Sequence, residues 1–376
     1  MKYVVLGAGL MGRAIAYDLG KQNADVVVCD ISLERAEEVA KIAGKNAVAK
    51  KVDVSNKGEV VKVIKGSDAV VSAVTYYFNA DLAEWCVESG VNFCDLGGNN
   101  EIVKKELALD ARAKKAGITI VPDCGLAPGT VSILASLGYS KLDETESIHL
   151  RVGGLPQKPK PPLNYGIVFS LHGLINEYVE KALVLRNGKV TEIESMTELE
   201  SISFKGFPEL EAFVTSGGTS TLPETFAGKV KALDYKTIRY KGHAEKIKLL
   251  IDLGLGSQVP IEVGGCKVRP REVLIACLSK VLPTIKEDVV LLRAIIEGKK
   301  EGKRKKIIYE MVDKYDKNTD MTAMMRTTAY PASITAIMMA NGKTPKGAIP
   351  PEKGVPGETF LKMMKERGIF IEERIE

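Results

Sequence analysis

The sequence predicts an α/β protein, with an N-terminal doubly wound parallel sheet and a second α+β domain built on a mixed sheet. Short apolar, β-branched runs alternate with segments of helical periodicity up to about residue 125, which is typical of a parallel sheet covered by helices. The first run ends in glycines at the G-x-G-x-x-G spacing. From residue 148 onward strand-like alternation dominates, which indicates a mixed or antiparallel sheet.

The glycine turn joins a strand over residues 2–6 to a helix that includes residues 13–19. In this setting the first glycine permits a sharp turn, the second lets the backbone approach a pyrophosphate, and the third lets helix and strand pack closely. The helix N-terminus supplies free N–H groups for phosphate oxygens. The residues expected to bind a dinucleotide here are Gly7, Ala8, Gly9, Leu10, Met11 and Gly12.

Asp30 ends the next predicted strand, Asp25–Asp30, roughly 20 residues past the turn, where a carboxylate accepts from the ribose hydroxyls of the adenosine half. A carboxylate there repels a 2'-phosphate, and Arg35 is the only nearby cation. The combination predicts a Rossmann domain that binds NAD rather than NADP. The alternative is an aspartate that only caps the helix from Ser32 onward.

Later strands, predicted over 47–54, 68–74, from 92 and from 118, end in polar or glycine-rich loops. In open α/β sheets ligands bind outside these carboxyl ends, so loops 75–79, 95–99 and 123–129 are expected to converge. Asp53 is placed to contact the adenine edge, with a simple turn residue as the alternative, and Gly97 and Gly98 to let the backbone approach the nicotinamide ribose. The further cofactor-binding residues expected here are Asp53, Val54, Ala73, Val74, Thr75, Gly97 and Gly98.

Composition narrows the class of protein. The chain has 376 residues, 45% hydrophobic and 27% charged, which suits two globular domains. A net charge of +5 and 6% aromatic residues do not suggest nucleic acid as a partner. No apolar run approaches roughly 18 residues and the chain starts with a strand, so we expect no membrane span, no signal peptide and a cytoplasmic location. Scattered cysteines and histidines predict no metal site.

We expect an NAD-binding domain over residues 1–130, completed by 322–376, and a substrate-binding and dimerisation domain over 131–321. Three finer predictions concern single elements. Residues 104–116 are predicted as one helix, and the Met-rich helix 322–339 is predicted to break near Pro331. A strand over 235–240 places Tyr235, Thr237 and Arg239 on one face.

The chain resembles the saccharopine dehydrogenase family, and most closely its lysine 6-dehydrogenase branch, over most of its length. Ala127 stands where saccharopine reductases typically carry Asp, and Val131-Ser132 where they carry Asp-His, which favours free lysine over saccharopine. The resemblance implies a homodimer or larger oligomer and NAD-dependent oxidation of the L-lysine ε-amine to a 6-semialdehyde, with ammonia released. The segments that carry it are GAGLMG at Gly7, TYYFN at Thr75, CDLGGN at Cys94, PDCGLAPG at Pro122, VGGLPQKPKPPLNY at Val152, EAFVTSGGTSTL at Glu211 and YKTIRYKGHAEK at Tyr235.

That reaction requires a neutral amine, although a free lysine amine has a pKa near 10.4, so the site must hold a base. Asp123 and His172 are the first candidates, followed by Tyr77; His243 is the fourth, although a capping or supporting role is expected for it. The substrate-binding residues expected are Arg239 and Thr219 for the α-carboxylate, Asp95 for the α-ammonium, and His243.

Three other functions remain open at this point. The first is another reductive-amination enzyme of the same family, such as one that forms saccharopine or carboxynorspermidine. The second is a regulatory protein that senses NAD without chemistry. The third is a structural dimer scaffold, which the intact glycine motif disfavours. A sensor would tolerate the loss of Asp123, Tyr77 and Arg239 while still binding NAD.

Overall fold

The computed structural model describes residues 1–168 and 170–376 and divides into two compact units. The first unit comprises 1–141, 220–222 and 325–371; the second comprises 142–219, 223–324 and 372–376. The first break falls after Lys141 rather than at residue 130, because the helix Thr130–Ser140 packs against the C-terminal helices Pro351–Gly354 and Gly357–Glu366.

Strands and helices alternate through the first unit. Their bounds are β1 (Lys2–Leu6), α1 (Leu10–Lys21), β2 (Asp25–Asp30), α2 (Leu33–Ala43), β3 (Ala47–Lys51), α3 (Lys57–Ile64), β4 (Ala69–Ser72), a 3-10 turn (Tyr76–Phe78), α4 (Asn79–Ser89), β5 (Asn92–Cys94), α5 (Asn100–Leu107), α6 (Asp110–Ala116), β6 (Thr119–Val121) and α7 (Thr130–Ser140).

Strands dominate the second unit, and the C-terminal segment is mainly helical. The bounds are β7 (Glu144–Pro156), α8 (Leu171–Val179), β8 (Ala182–Arg186), β9 (Lys189–Ile193), β10 (Glu200–Ile202), β11 (Leu210–Val214), α9 (Leu222–Phe226), β12 (Ala232–Tyr240), α10 (His243–Asp252), β13 (Ile261–Val263), β14 (Cys266–Val268), α11 (Pro270–Val281), β15 (Asp288–Lys300), β16 (Lys303–Lys314), α12 (Ala323–Ala340), β17 (Gly347–Ala348), α13 (Pro351–Gly354), α14 (Gly357–Glu366) and β18 (Ile371–Ile375).

The predicted fold class is confirmed in both units. The first sheet has seven strands in the order β17-β6-β5-β4-β1-β2-β3, and every pairing in it is parallel. Strand order therefore reverses at β1, which is the switch point where such sheets bind ligands. The seventh strand, β17, comes from the C-terminal segment, whereas the N-terminal rhythm predicted six.

The sheet of the second unit has nine strands and is mixed. Strand β12 pairs parallel with β7 and antiparallel with β11. Helices α8, α10 and α11 cover one face through an apolar cluster that includes Tyr178, Phe213, Ile247 and Leu274. Over residues 1–168 and 170–376, no helix combines the length and the apolar character needed to cross a bilayer.

Two predictions on single elements are wrong. Residues 104–116 form parts of two helices, because α5 ends at Leu107 and α6 begins at Asp110. Helix α5 begins earlier than predicted, since the Asn99 side chain caps it by accepting the Glu101 and Ile102 N–H groups at 3.0 and 3.2 Å. Helix α12 continues through Pro331. An interior proline costs about 3 kcal/mol or more, and complete burial of neighbours such as Ala332 and Ile334 outweighs that cost.

Candidate functional site

The glycine turn is shaped for a dinucleotide. A Cβ at Gly12 would overlap the Gly7 carbonyl oxygen, whereas a Cβ at Gly9 would meet nothing within 4 Å, so the second glycine faces open space. Gly9 is also the N-cap of α1 and has no side-chain cap hydrogen bond. Uncapped N–H groups and an open approach are what a pyrophosphate requires, so these residues fit the cofactor.

The Asp30 side chain, at the end of β2, accepts a hydrogen bond from the backbone of this turn. One of its oxygens accepts the Ala8 N–H at 2.8 Å and the other accepts the Ser32 N–H at 2.9 Å. Arg35 lies 3.8 Å from the same carboxylate, but its side chain is 61% exposed. A largely solvated guanidinium attracts the carboxylate weakly, so Asp30 keeps its negative charge beside the turn.

The other expected cofactor residues divide into two groups. Gly7 packs against Ala73 and Val74, so these residues lie beside the glycine turn, and Thr75 is exposed in the loop that follows. Val54 is half-buried and packs against the apolar core, as Val74 also does. The Asp53 carboxylate accepts the Ser55 N–H at 2.9 Å and the Ser55 hydroxyl at 2.7 Å, which lowers its pKa. Asp53 is therefore a turn residue, and the adenine contact expected for it is not supported.

Gly97 and Gly98 are closely packed by neighbouring side chains, and the approach to the nicotinamide ribose expected of them stays a prediction. A Cβ at Gly97 would overlap the Asp123 carboxylate, and a Cβ at Gly98 would lie 2.9 Å from the Tyr76 ring. Both also have positive φ, 76° and 127°. They are glycines because Asp123 and Tyr76 pack onto them. Tyr77 stacks on Tyr76 at 5.5 Å between centroids and is itself 75% exposed, whereas Tyr76 packs onto Gly98.

Five acidic side chains are buried in the first unit. Asp18 pairs with Arg367, and the other four, Asp95, Glu106, Asp123 and Glu352, are here called the carboxyl cluster. The Ser220 hydroxyl donates to Asp123 Oδ2 at 2.5 Å, and the Thr221 hydroxyl donates to Glu352 at 2.9 Å. Burial, and next the Asp95 charge, raise the pKa of Asp123 to about 8. An aspartate with this pKa accepts a proton more readily than an ordinary carboxylate.

Asp95, expected to receive a substrate ammonium, is completely buried. Its Oδ1 accepts the Gly97 N–H at 2.5 Å and the Asp123 N–H at 3.2 Å. It is a fixed part of the carboxyl cluster and presents no surface to a ligand, so the substrate role is not supported.

The second unit contains a buried guanidinium. Arg239 is only 2% exposed, and its Nε donates to the Tyr178 hydroxyl at 3.0 Å. The guanidinium lies 4.9 Å from the centroid of the Tyr165 ring. No carboxylate of the described residues lies within 4.0 Å of Arg239. Glu177 is an acidic group whose charge acts on Arg239, but it forms no direct ion pair with it. A buried cation that lacks a directly paired carboxylate is costly, so this group is suited to an anionic ligand.

His243 holds this arrangement in place. Burial, and next the Arg239 charge, lower the pKa of His243 to about 3, so its ring is neutral. Its Nδ1 lies 3.1 Å from the Leu163 carbonyl, which only accepts, so Nδ1 carries the proton and Nε2 accepts from the Tyr178 hydroxyl at 3.1 Å. His243 thus orients Tyr178, which in turn accepts from Arg239.

Two expected residues are placed differently. Thr219 is buried and its hydroxyl donates to the Leu183 carbonyl at 3.0 Å, so its proton is not available to a substrate carboxylate. His172 is exposed on the first turn of α8, and the structure, as far as it describes the chain, gives it no hydrogen-bond partner. An exposed, unsupported imidazole is a poor general base.

Sequence reasoning did not identify Glu106, Tyr178, Ser220 or Glu352. Glu106 follows two lysines on a helix and looks like a solvated residue. Ser220 lies next to Thr219 in a segment already linked to the substrate domain, and only the chain path shows that residues 220–222 belong to the first unit. The signal available for Tyr178 was its helical spacing from Leu171, Leu174 and Ile175 on the buried face of α8.

Comparison with known proteins fits this architecture. Residues 3–121 match the family model described as the saccharopine dehydrogenase NADP binding domain, and residues 125–369 match the saccharopine dehydrogenase C-terminal domain. The chain belongs to the saccharopine dehydrogenase family. Together with the glycine turn, this membership indicates a nicotinamide dinucleotide as the cofactor.

Relatives in the family are distant. Mouse mitochondrial α-aminoadipic semialdehyde synthase is 24% identical over 68% of this chain, which spans only 28% of that protein's length. Carboxynorspermidine synthase of Vibrio cholerae is 21% identical over 98% of this chain and 96% of its own. The apo structure of the L-Glu-forming saccharopine dehydrogenase of Saccharomyces cerevisiae superimposes with a TM-score of 0.83 at 19% identity, covering 100% of this chain and 99% of that one. The last match shows a shared fold.

Proposed function

We propose that this protein is an NAD-dependent dehydrogenase that oxidises the ε-amine of L-lysine. The amine loses a proton and the ε-carbon loses a hydride, which gives an imine. Water then hydrolyses the imine to 2-aminoadipate 6-semialdehyde and ammonia, and the semialdehyde cyclises to a piperideine carboxylate. The hydride would pass to the nicotinamide ring, which is the chemistry that the cofactor supplies.

The observation that carries this proposal is the unpaired, buried guanidinium of Arg239. A planar guanidinium binds both oxygens of a carboxylate, and all amino acids present one. Tyr165 and Tyr178 fix its plane from two sides, so the group is oriented before a ligand arrives. Burial raises the pKa of Glu177, in the same unit, to about 7, and Arg239 opposes that shift; we assign Glu177 to the α-ammonium in place of Asp95.

Asp123 is the proposed general base. With a pKa of about 8 it is protonated below that pH and ionised above it. The reaction should therefore become faster as the pH rises through about 8, both because Asp123 ionises and because a larger fraction of the substrate amine is neutral. Ser220 donates to the same carboxylate and would hold it in one orientation.

NAD is the proposed dinucleotide because the Asp30 carboxylate stands beside the glycine turn. The 2'-phosphate of NADP would meet that negative charge, and Arg35, the cation that the described residues place beside Asp30, is largely solvated. The ribose hydroxyls of NAD could instead donate to the carboxylate.

We also propose assembly as a homodimer or larger oligomer through the second unit. Large apolar side chains are exposed along its helices and the loop between them, with Leu249, Leu253 and Val259 exposed at 60, 70 and 71%. Exposed apolar patches of this kind mark interaction surfaces. Light scattering during gel filtration gives the oligomeric state, and a monomeric mass at micromolar concentration would contradict the proposal.

A second candidate is a dehydrogenase that acts on a secondary amine. It is favoured by the end-to-end similarity to carboxynorspermidine synthase, which covers 98% of this chain. Both candidates need the same base and the same carboxylate anchor. They differ only in what is attached to the amine.

The test follows NADH absorbance with purified protein at pH 9, offering L-lysine, saccharopine and carboxynorspermidine with NAD and with NADP. Reduction with lysine and NAD, with one ammonia released per NADH, would support the first candidate. Reduction with carboxynorspermidine or saccharopine only would support the second. Arg239→Met should abolish the response, whereas Arg293→Met should retain it, because Arg293 is paired with Glu310 at 2.5 Å.

A further inference from the structure

Two buried carboxyl groups meet in the first unit without a cation. Asp95 and Glu106 are both completely buried, and each lies within hydrogen-bonding reach of the other. Among the described residues no N–H or O–H group donates to Asp95 Oδ2 or to either oxygen of Glu106. Two ionised carboxylates cannot bond to each other, so a proton must lie between these oxygens.

The hydrogen bonds indicate which group carries that proton. Asp95 Oδ1 accepts two backbone N–H groups, from Gly97 and Asp123. Within the part of the chain that the structure describes, Asp95 is the one side chain in hydrogen-bonding reach of Glu106. Backbone donors stabilise a carboxylate, so the negative charge resides on Asp95 and the proton on Glu106. Burial raises the pKa of both carboxyl groups. The Asp95 charge raises that of Glu106 further, to about 12, whereas the Gly97 and Asp123 N–H groups oppose the rise in the pKa of Asp95, which agrees with this assignment.

We propose that Glu106 remains protonated and donates a hydrogen bond to ionised Asp95. Asp95 in turn accepts hydrogen bonds from the Gly97 and Asp123 N–H groups, and this holds the Asp123 carboxyl group in one orientation. Glu106 is thus a positioning residue for the reaction proposed above, and the inference rests on that reaction. Asp123 adopts a left-handed backbone conformation, φ 60°, and packs onto Gly97. A strained backbone persists only when its surroundings hold it in place.

The groups near this pair come from several elements. Asp123 and Cys124, which follow β6, interact with the pair, and Cys94, at the end of β5, contacts Cys124. Ser220, before α9, and Glu352, on α13, act on Asp123. Burial raises the pKa of the Cys124 thiol well above its usual value, so it does not supply a negative charge. No group of three or more acidic, cysteine or histidine side chains in the described part of the chain is placed to hold a metal. A retained proton is therefore the remaining means of compensating the paired carboxyls.

Infrared spectroscopy tests the proton without requiring activity. At pH 8 the wild-type protein should show the C=O stretch of a buried carboxylic acid that Glu106→Gln lacks. Glu101→Gln, on the same helix but exposed and paired with Lys104, should leave that band unchanged. Absence of a protonated-carboxyl difference between wild type and Glu106→Gln overturns the inference.

Kinetics test the positioning role. A glutamine at 106 can still donate to Asp95, whereas an alanine cannot, so Glu106→Gln should retain at least about ten times the kcat of Glu106→Ala, with little change in KM for lysine. A displaced catalytic group can cost roughly 100-fold in rate. Equal kcat values for the two variants overturn the inference, provided both fold as judged by circular dichroism.

Asp123→Asn separates this inference from the proposed function. If the wild type is active and Asp123→Asn is not, the base is supported and the Glu106 results decide the positioning role. If Asp123→Asn retains wild-type activity, the proposed base fails, and the positioning role fails with it. The infrared result then still decides whether Glu106 holds a proton.

Discussion

Two buried arginines on opposite faces of the second sheet differ in how their charge is compensated. Arg151 on β7 pairs with Asp234 at 2.6 Å and Glu200 at 2.5 Å, and Lys236 beside it pairs with Glu200 at 2.8 Å. Among the described residues, Arg239 hydrogen-bonds only to the Tyr178 hydroxyl and the Ile238 carbonyl and lies near the Tyr165 ring, and Glu177 acts on it electrostatically without a direct ion pair. Arg151 is therefore paired with carboxylates within the sheet, whereas Arg239 is equally buried and has no carboxylate paired with it directly.

The first unit shows the same contrast with opposite sign. Asp18, buried under α12, pairs with Arg367 at 2.8 Å. Asp95 has a second carboxyl as its neighbour instead, and the shift in the pKa of Asp123 follows from burial together with that arrangement. In each unit, a buried charged group without a directly paired opposite charge therefore marks the place to which we assign a role in the reaction. These groups are Asp123 in the first unit and Arg239 in the second.

The largest expected effect is that of Arg239→Met on catalysis. Removing one partner of a buried ionic interaction costs about 2–5 kcal/mol, so kcat/KM for lysine should fall by roughly 1000-fold. The free energy of unfolding should stay equal or rise, because a buried cation without a counter-ion is removed. Steady-state kinetics and urea denaturation measure the two quantities. Loss of stability with little loss of activity would make Arg239 a structural residue.

Arg151→Met should give the reverse result. Asp234 and Glu200 would lose their main partner in a buried site, which should lower the free energy of unfolding by about 3 kcal/mol. The kcat/KM for lysine should change by less than about threefold, since Arg151 lies on the other face of the sheet. Urea denaturation measures the stability. A protein as stable as the wild type would show that the ion network contributes little.

Glu106→Gln should change how stability depends on pH. The pKa of Glu106 is raised from about 4.3 in an unfolded chain to about 12 in the folded one. Between these values the folded state holds one more proton than the unfolded state, so stability falls as pH rises, by about 1.4 kcal/mol per pH unit. Glutamine cannot titrate, so this contribution disappears from the variant.

Urea denaturation at pH 6, 7, 8 and 9 measures that slope. The stability of Glu106→Gln relative to wild type should increase steadily over this range, while Glu101→Gln should run parallel to wild type because Glu101 is exposed. Parallel curves for wild type and Glu106→Gln would mean that Glu106 is ionised in the folded protein.

The sequence predicted the sheets well because they follow from periodicity. Buried parallel strands such as Asp25–Asp30 and the glycine turn have local signatures, and the structure places each where the pattern indicated. The break at Pro331 was wrong because propensity is local, whereas α12 is stabilised by its burial. The seventh strand comes from two residues, Gly347 and Ala348, which are too few to show a period.

The candidate site was harder to predict than the fold because it depends on burial of charge. Arg239 could be chosen from the face it shares with Tyr235 and Thr237. Asp95 and Glu106 look like ordinary acids in the sequence, and only the structure shows that they are buried together. The role of Gly97 likewise depends on Asp123, which lies 26 residues further along the chain and packs onto it.

The smallest expected effect concerns two aspartates that end neighbouring segments of the same sheet. Asp30 stands beside the glycine turn, whereas both hydrogen bonds to the Asp53 carboxylate come from Ser55. Asp30→Asn removes the charge that repels a 2'-phosphate while keeping an oxygen for the Ser32 N–H. The ratio of kcat/KM for NADP to that for NAD should rise about tenfold, or about 1.4 kcal/mol. Asp53→Asn should leave that ratio unchanged. If Asp53→Asn shifts the ratio and Asp30→Asn does not, the cofactor's adenosine half contacts β3 rather than β2.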